Sequence, residues 1–312
     1  MTAHSNVFLP AKKKGHNRQM TNFDNASHVM VNQVELAVVE AGAGEPLVLV
    51  HGSVSDLRTW SRQIDKFAEH HRTIAYSRRY PRPNRPIPRD EADRIQLHVD
   101  DLAELIELLE ARPAHVVGHS WGGLIALILA IQRPEIFRSL VLVEPAVVPM
   151  HITIPPKIGQ IIGLFLRSPK LALAIVKLGG RVFMPAQKAF EQGDDKAAIE
   201  HFGRGVLGDH AFESLSSERY EQVWENRGPD RAQALHRGMP DLTGAEYSKV
   251  TCPVLLVAGA ESPAIFSRLI DDLVKRFPHA KTCVVNNASH IVHEDAPAEF
   301  NSEVLKFLSS AR

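Results

Sequence analysis

The chain has 312 residues, of which 44% are hydrophobic, a length and composition that fit one globular α/β domain carrying an insertion. Its 36 basic and 36 acidic side chains balance, and the sequence has no basic stripe with interleaved aromatic residues, which argues against a nucleic-acid partner. Two cysteines, Cys252 and Cys283, indicate neither a disulfide framework nor a metal site, and the longest apolar run, 124–131, is too short to span a bilayer.

The first segment, residues 1–27, is predicted to be a disordered tail. It holds four basic residues between Lys12 and Arg18, has no acid before Asp24, and lacks the apolar core of a secretory signal. We therefore expect a cytoplasmic protein.

Beyond the tail, short β-rich runs alternate with amphipathic helical runs, which predicts a mostly parallel sheet covered on both faces by helices. The predicted strands are 30–33, 35–40, 47–50, 73–76, 115–117, 140–143, 254–257 and 282–285. Apolar residues at helical spacing predict helices over 92–109, which ends before a Pro stop signal, and over 298–309.

A Gly-x-Ser-x-Gly motif lies within 116–123, between an apolar strand and an apolar helix. This arrangement is typical of a nucleophile elbow, in which a sharp strand-to-helix turn holds the central Ser120 in strained backbone. The flanking glycines remove side chains that would collide there. The turn also directs the Trp121 N–H toward the position where a carbonyl oxygen becomes negative during attack.

Residues 146–249 contain no predicted strand, and their helical runs are separated by Pro-Pro and Gly-Gly pairs. This pattern predicts a helical cap inserted into a core made of 28–145 and 250–312. The apolar run 158–178 is interrupted by basic residues, so it cannot span a membrane, and helix packing is favoured over binding to a membrane surface. Apolar residues on the underside of the cap would wall a substrate pocket and exclude water.

Together these features give a chain that resembles the α/β-hydrolase superfamily, in its branch of serine hydrolases with a helical cap, over nearly all of residues 28–312. The resemblance implies an α/β fold with a mostly parallel eight-stranded sheet flanked by helices and an inserted helical cap. In this superfamily a His-Gly loop follows the third strand, and this chain has His51 and Gly52 there.

The same resemblance implies that the His-Gly loop supplies the second oxyanion N–H beside that of Trp121. Ser53 is the natural donor, with Val54 as the alternative. His51 is implied to organise the loop rather than to act as a base. We expect His51, Gly52 and Val54 to adjoin the substrate.

A serine hydroxyl needs a neighbouring base at neutral pH, and the chain order of the superfamily implies a late histidine. His290 fits, because it follows the predicted strand 282–285 in a polar loop. His293 is the rival and is expected to be exposed. Four further histidines are expected at the surface or in packing: His70, His71, His115 and His119.

The acid of the triad departs from the common pattern. Most relatives carry Gly-x-x-Asp after the seventh strand, where this chain has Glu261 followed by serine. Some branches carry the acid at the end of the preceding strand, where this chain has Glu144. Either carboxylate could accept the N–H of His290. Glu144 is preferred, because a glutamate that ends an apolar strand is otherwise hard to explain, and Glu261 is the alternative.

A second departure follows the fourth strand, where many relatives read Asp-x-Arg-Gly and this chain has serine in place of the aspartate. Arg79 matches the arginine of that pattern. It is predicted either to bind a carboxylate of the substrate at the pocket entrance, or to tie loops together through backbone carbonyls.

These residues predict a carboxylesterase or lactonase with a Ser-His-Glu triad that forms an acyl-enzyme on Ser120, without a metal or organic cofactor. A serine nucleophile disfavours the aspartyl-ester chemistry of epoxide hydrolases and dehalogenases. The alternatives are a thioester or C–C bond hydrolase and a non-catalytic small-molecule receptor. We expect a small ester-like substrate as partner, no nucleic acid, no stable membrane association, and a monomer or homodimer.

Overall fold

A computed structural model of the protein describes residue 23, residues 26–236, residue 239 and residues 241–311. Most of the predicted tail at 1–27 lies outside these described residues. Among the described residues, no helix combines the length and the hydropathy needed to cross a membrane.

The centre of the fold is one sheet of eight strands in the order β1-β2-β4-β3-β5-β6-β7-β8. The strands are β1 (Ser27–Val31), β2 (Val34–Ala41), β3 (Pro46–Val50), β4 (Arg72–Tyr76), β5 (Ala114–His119), β6 (Phe137–Val143), β7 (Val254–Gly259) and β8 (Lys281–Val285). β2 pairs antiparallel with β1 and with β4, whereas the strands from β4 to β8 pair in parallel. The predicted mostly parallel sheet is confirmed.

Helices cover both faces of this sheet. Those of the core are α1 (Ile64–Phe67), α2 (Ile95–Leu108), α3 (Ser120–Gln132), α11 (Ala264–Arg276), α12 (Val292–Asp295) and α13 (Pro297–Ser310). The central strands are continuous apolar runs because both of their faces are buried. Successive residues face opposite sides, so that Val48 joins the cluster beneath α2 and α3, and Leu47 joins the cluster beneath α1 and α13.

The inserted segment, residues 146–249, lies between β6 and β7 and contains no strand in its described part. Its helices are α4 (Ile158–Arg167), α5 (Pro169–Leu178), α6 (Met184–Glu191), α7 (Asp195–Leu207), α8 (Asp209–Glu213), α9 (Ser217–Glu225) and α10 (Arg227–His236). A π-helical turn, Gly179–Phe183, joins α5 to α6. The apolar run 158–178 is therefore two helices, divided where Pro169 begins α5.

The carboxyl ends of the parallel strands lie at one edge of the sheet, and three polar residues follow them there. Ser120 comes directly after β5, Glu144 directly after β6, and His290 in the loop after β8. Because β5, β6, β7 and β8 are successive neighbours, these side chains are brought to one place.

Candidate active site

Ser120 lies at a sharp strand-to-helix turn. No loop residue separates the two elements, because β5 ends at His119 and α3 begins at Ser120. Its φ of 51° is in the left-handed region, which is strained for a residue with a side chain. A Cβ on Gly122 would lie 2.3 Å from the Val50 carbonyl oxygen, and one on Gly118 would lie 2.7 Å from that of Gly122. The elbow therefore requires glycine at both positions.

His290 connects Ser120 to a buried carboxylate. Its Nε2 lies 2.9 Å from the Ser120 Oγ, and its Nδ1 lies 2.7 Å from the Glu144 Oε2. The other Glu144 oxygen accepts the Gly259 N–H at 2.8 Å. A carboxylate that accepts the Nδ1–H leaves Nε2 free to take the proton of the serine hydroxyl.

Of the two carboxylates expected near His290, the structure places only Glu144 on the imidazole. Glu144 is 1% exposed, whereas Glu261 is an exposed loop residue whose N–H donates to the Ala288 carbonyl. The carboxyl end of β6 thus faces the histidine loop, while the side chain of Glu261 faces solvent.

Two neighbours fix the position of His290. Phe266 of α11 stacks on its imidazole, with ring centroids 3.9 Å apart and an angle of 19° between the planes. His119 Nε2 donates to the His290 carbonyl at 2.8 Å. Burial, and then the nearby His293 and His290, hold the pKa of His119 well below its ordinary value, so that its ring remains neutral.

The expectation that His293 is exposed is wrong. Its side chain is fully buried, its Nε2 lies 2.9 Å from the Thr59 Oγ1, and its ring centroid is 4.3 Å from that of Trp60. The short helix α12 packs against the turn that carries Thr59 and Trp60, and this packing removes His293 from solvent. Burial also lowers its pKa strongly.

The loop after β3 is organised by His51 and Arg78. His51 donates from Nδ1 to the Gly52 carbonyl at 2.9 Å and accepts the Arg78 N–H on Nε2 at 3.0 Å. The guanidinium of Arg78 donates to the Gly52 carbonyl at 2.9 Å. Burial, and then Arg78, lower the pKa of His51 well below its ordinary value. Neither His51 nor Gly52 contributes to the pocket wall.

The next two residues of this loop, Ser53 and Val54, both contact the carboxyl of Asp230. The Val54 N–H donates to the Asp230 Oδ2 at 3.1 Å, and the Ser53 hydroxyl also contacts this carboxyl. Ser53 lines the pocket beside Ser120. Asp230 belongs to α10 of the inserted segment, and no sequence motif predicts its place in the site. Burial raises its pKa to about 6.

Arg79 does not lie in the pocket wall. Its guanidinium makes two hydrogen bonds to the carboxylate of Asp101 on α2, at 2.6 and 2.9 Å. Arg79 is therefore not in a position to bind a carboxylate of the substrate. It ties its loop to α2, as the alternative prediction had it, but through the side-chain carboxylate of Asp101 instead of backbone carbonyls.

A cavity of about 640 Å³ opens beside Ser120 and His290, between the core and the inserted helices. Its wall is mainly aliphatic and aromatic, and among the described residues it includes no Lys or Arg. A second cavity of about 40 Å³ shares Ser53, Ser120 and His290 with the first, and Phe212, Arg219 and Ile291 also line it. Ser120 therefore stands between a large apolar space and a small one.

One group of side chains elsewhere has the atoms of a metal site. Ligand atoms of Glu45, His71 and His115 lie within 4.8 Å of one another. They lie at the amino ends of β3, β4 and β5, across the sheet from Ser120. Arg138 lies 3.4 Å from Glu45 and already supplies a positive charge there, so we assign this group no metal.

Comparison with known proteins agrees with this geometry. A family model described as alpha/beta hydrolase fold matches residues 45–297. The chain belongs to the α/β hydrolase family. This α/β hydrolase is 24% identical over 276 residues to the (E)-2-((N-methylformamido)methylene)succinate hydrolase of Acinetobacter baylyi, with 87% of this chain and 93% of that relative covered.

Two further similarities were found for this α/β hydrolase. It is 30% identical over 210 residues to an sn-1-specific diacylglycerol lipase of Mus musculus, with 67% of this chain and 63% of that relative covered. A solved structure of a thermophilic esterase from Thermogutta terrifontis matches with a TM-score of 0.70 at 19% identity, covering 92% of this chain and 99% of the other. At this identity the structural likeness shows the fold.

Proposed function

We propose that this α/β hydrolase is a serine hydrolase that cleaves a small-molecule carboxylic ester or lactone through an acyl-enzyme on Ser120. The observation that carries the proposal is the pair of hydrogen bonds from Ser120 through His290 to Glu144, at the end of an apolar pocket. The likeness to proteins named as a lipase and an esterase supports ester cleavage. The wall of the large cavity, which has no Lys or Arg among the described residues, favours an uncharged, apolar substrate group.

In the proposed reaction, the Ser120 Oγ attacks the carbonyl carbon while His290 Nε2 accepts its proton. Glu144 holds the imidazole in the required tautomer and stabilises the imidazolium. The N–H groups of Ser53 and Trp121 stabilise the oxyanion, an interaction worth about 10²–10³-fold in kcat per donor. His290 then protonates the leaving oxygen. Water, deprotonated by His290, attacks the acyl carbon, and His290 returns that proton to the Ser120 Oγ as the bond to Ser120 breaks and the acid leaves.

We also propose that the inserted segment acts as a cap. Its helices supply much of the wall of the large cavity, and Asp230 of α10 bonds directly to the loop after β3. A cap in this position excludes water from the developing oxyanion, which strengthens its electrostatic stabilisation.

The test is hydrolysis of a panel of p-nitrophenyl esters, lactones and thioesters by the wild type and three variants. We expect Ser120→Ala to abolish turnover and Glu144→Gln to lower kcat by roughly 10²–10⁴-fold, because the amide disturbs the tautomer of His290. The matched control Glu261→Gln should stay within about twofold, since that carboxylate faces solvent. Undiminished activity in Ser120→Ala would refute the nucleophile. Ligand binding without turnover in the wild type would indicate a receptor.

A further inference from the structure

The part of the sequence that forms the first helices of the inserted segment carries only positive charges. Between residues 145 and 190 there are six basic residues and no acid, although the whole chain is balanced. The six are Lys157, Arg167, Lys170, Lys177, Arg181 and Lys188. All of them are exposed, and in the part of the chain that the structure describes none lies within ion-pairing distance of a carboxylate. Hydrogen bonds from Thr243, and to a smaller extent the charge of Lys157, lower the pKa of the Asp241 carboxyl.

Large apolar side chains are exposed between these cations. On α4 they recur at helical spacing, and Ile158 and Leu166 are 77% and 82% exposed. The full set is Ile158, Ile162, Phe165, Leu166, Leu173, Val176, Phe183 and Met184. From 155 to 184, every exposed residue is apolar, glycine, proline or basic. We call the surface formed by these eight apolar and six basic residues the basic apolar patch.

The basic apolar patch is continuous with the wall of the large cavity. Val176, Phe183 and Met184 are exposed in the patch and also line the cavity. Ile161 and Leu164 of α4 are half-buried and buried, and they line the cavity as well. The helices that bear the patch thus separate the outer surface from the space that leads to Ser120.

Although the sequence favours helix packing for the run 158–178, Ile158 and Leu166 are largely exposed. We propose that the basic apolar patch binds the surface of an anionic phospholipid membrane reversibly, and that the cavity receives its substrate from that surface. Exposed Lys and Arg are attracted to anionic headgroups, while Ile, Leu and Phe enter the boundary between headgroups and acyl chains. A purely electrostatic ligand such as a nucleic acid would leave the apolar side chains without a role. The membrane contact is independent of the reaction, and the delivery of substrate rests on the proposed function.

Binding is tested by sedimentation of the full chain with vesicles of phosphatidylcholine alone or mixed with phosphatidylserine. A Ser120→Ala background prevents turnover of lipid. We expect binding to the mixed vesicles only, and loss of at least about thirtyfold in Lys170→Glu/Lys177→Glu, since each cation contributes roughly fivefold. The control Lys66→Glu/Lys306→Glu, which reverses two exposed charges on α1 and α13, should bind as the parent does. The basic residues before Asp24 are present in all of these proteins.

The apolar half of the patch is tested by Phe165→Ser/Leu166→Ser, which lie outside the cavity wall. We expect weaker vesicle binding and a protein that stays folded, with only a small loss in the free energy of unfolding, since Leu166 is 82% and Phe165 is 40% exposed. Equal binding to both vesicle types, or binding unaffected by either pair of patch substitutions, would overturn the proposal. So would a dimer in analytical ultracentrifugation that these substitutions dissociate, because the patch would then bind a second copy.

The delivery of substrate is tested with Ser120 intact. The Phe165→Ser/Leu166→Ser enzyme should hydrolyse a water-soluble short-chain ester at the wild-type rate and an ester embedded in phosphatidylserine-containing vesicles at least tenfold more slowly. If the variant hydrolysed the vesicle-embedded ester as fast as the wild type does, delivery of substrate from the membrane would be refuted. Inactivity of the wild type on every ester would instead refute the proposed function and leave the sedimentation result unaffected.

Discussion

Asp230 is a carboxyl group held in an apolar wall beside Ser120, the proposed nucleophile. Its Oδ2 accepts the Val54 N–H, and its side chain also contacts the Ser53 hydroxyl. Burial raises its pKa to about 6, although the Val54 N–H, the charge of Arg78 and the Ser53 hydroxyl act in the opposite direction. The carboxylate of Asp230 thereby holds the loop that carries Ser53, a proposed oxyanion donor. Because burial disfavours the charged form, ionised Asp230 lowers the free energy of unfolding.

This cost makes the stability of the protein depend on pH. The folded pKa of about 6 is above the ordinary value of an aspartate near 4, so Asp230 contributes stability that is fully present below about pH 4 and is lost as pH rises through 6. In Asp230→Asn this loss is absent. Urea unfolding should show the variant gaining roughly 2–3 kcal/mol relative to the wild type between pH 4 and pH 7. A difference that is constant with pH would contradict the assignment.

The residues of the site differ in how far the sequence could predict them. Ser120 lies in a local motif, and Glu144 and His290 each follow an apolar strand whose end has a known place in a parallel sheet. Asp230 is far along the chain from Val54, and only the packing of α10 brings them together. His293 was misjudged for the same reason, because its burial depends on Trp60, which no local pattern connects to it.

At the scale of elements, the strand-to-helix turn tolerates no side chain at Gly122. In Gly122→Ala the new methyl would meet the carbonyl oxygens of Val50 and His51 at 2.3 and 2.5 Å, both of them backbone atoms of β3 and its loop. We expect a loss of about 3 kcal/mol in the free energy of unfolding and loss of the proposed ester hydrolysis, because β3 and α3 must separate.

A glycine of the inserted segment provides the opposite control. Gly163 lies within α4, and a Cβ there would meet no atom within 4 Å. Gly163→Ala should therefore raise the free energy of unfolding by about 0.5–1 kcal/mol and leave activity unchanged. Urea unfolding and ester hydrolysis measure both variants. Equal effects of the two substitutions would show that the close approach at Gly122 does not constrain the elbow.

The core elements were easier to predict from the sequence than the inserted ones. Strands buried on both faces form continuous apolar runs, and these stand out between helices. The run 158–178 is rich in apolar residues, and its pattern did not predict the boundary between two helices. In the structure, α4 ends before Ser168 and α5 begins at Pro169. Nor did the pattern show that one side of α4 faces solvent, which depends on where the cavity lies.

Across the whole molecule, the core and the inserted segment together create two unequal spaces around Ser120. The large cavity of about 640 Å³ has room for a long apolar group, and the small one of about 40 Å³ has room for a short group or water. In the proposed reaction, the carbonyl carbon that Ser120 attacks carries two substituents, the acyl chain and the alcohol group. Unequal spaces therefore predict that one substituent is long and apolar while the other is short.

This asymmetry predicts a one-sided dependence on chain length. Each buried methylene contributes about 0.8 kcal/mol, so kcat/KM should rise roughly fourfold per carbon in either the acyl or the alcohol series of esters, but not in both. Ala234→Leu, which adds volume to the wall of the large cavity, should shorten the preferred chain in that series alone. If both series rise together, or if Ala234→Leu shortens neither, the large cavity does not hold the substrate chain. The result would also decide which product of hydrolysis occupies the space next to the basic apolar patch.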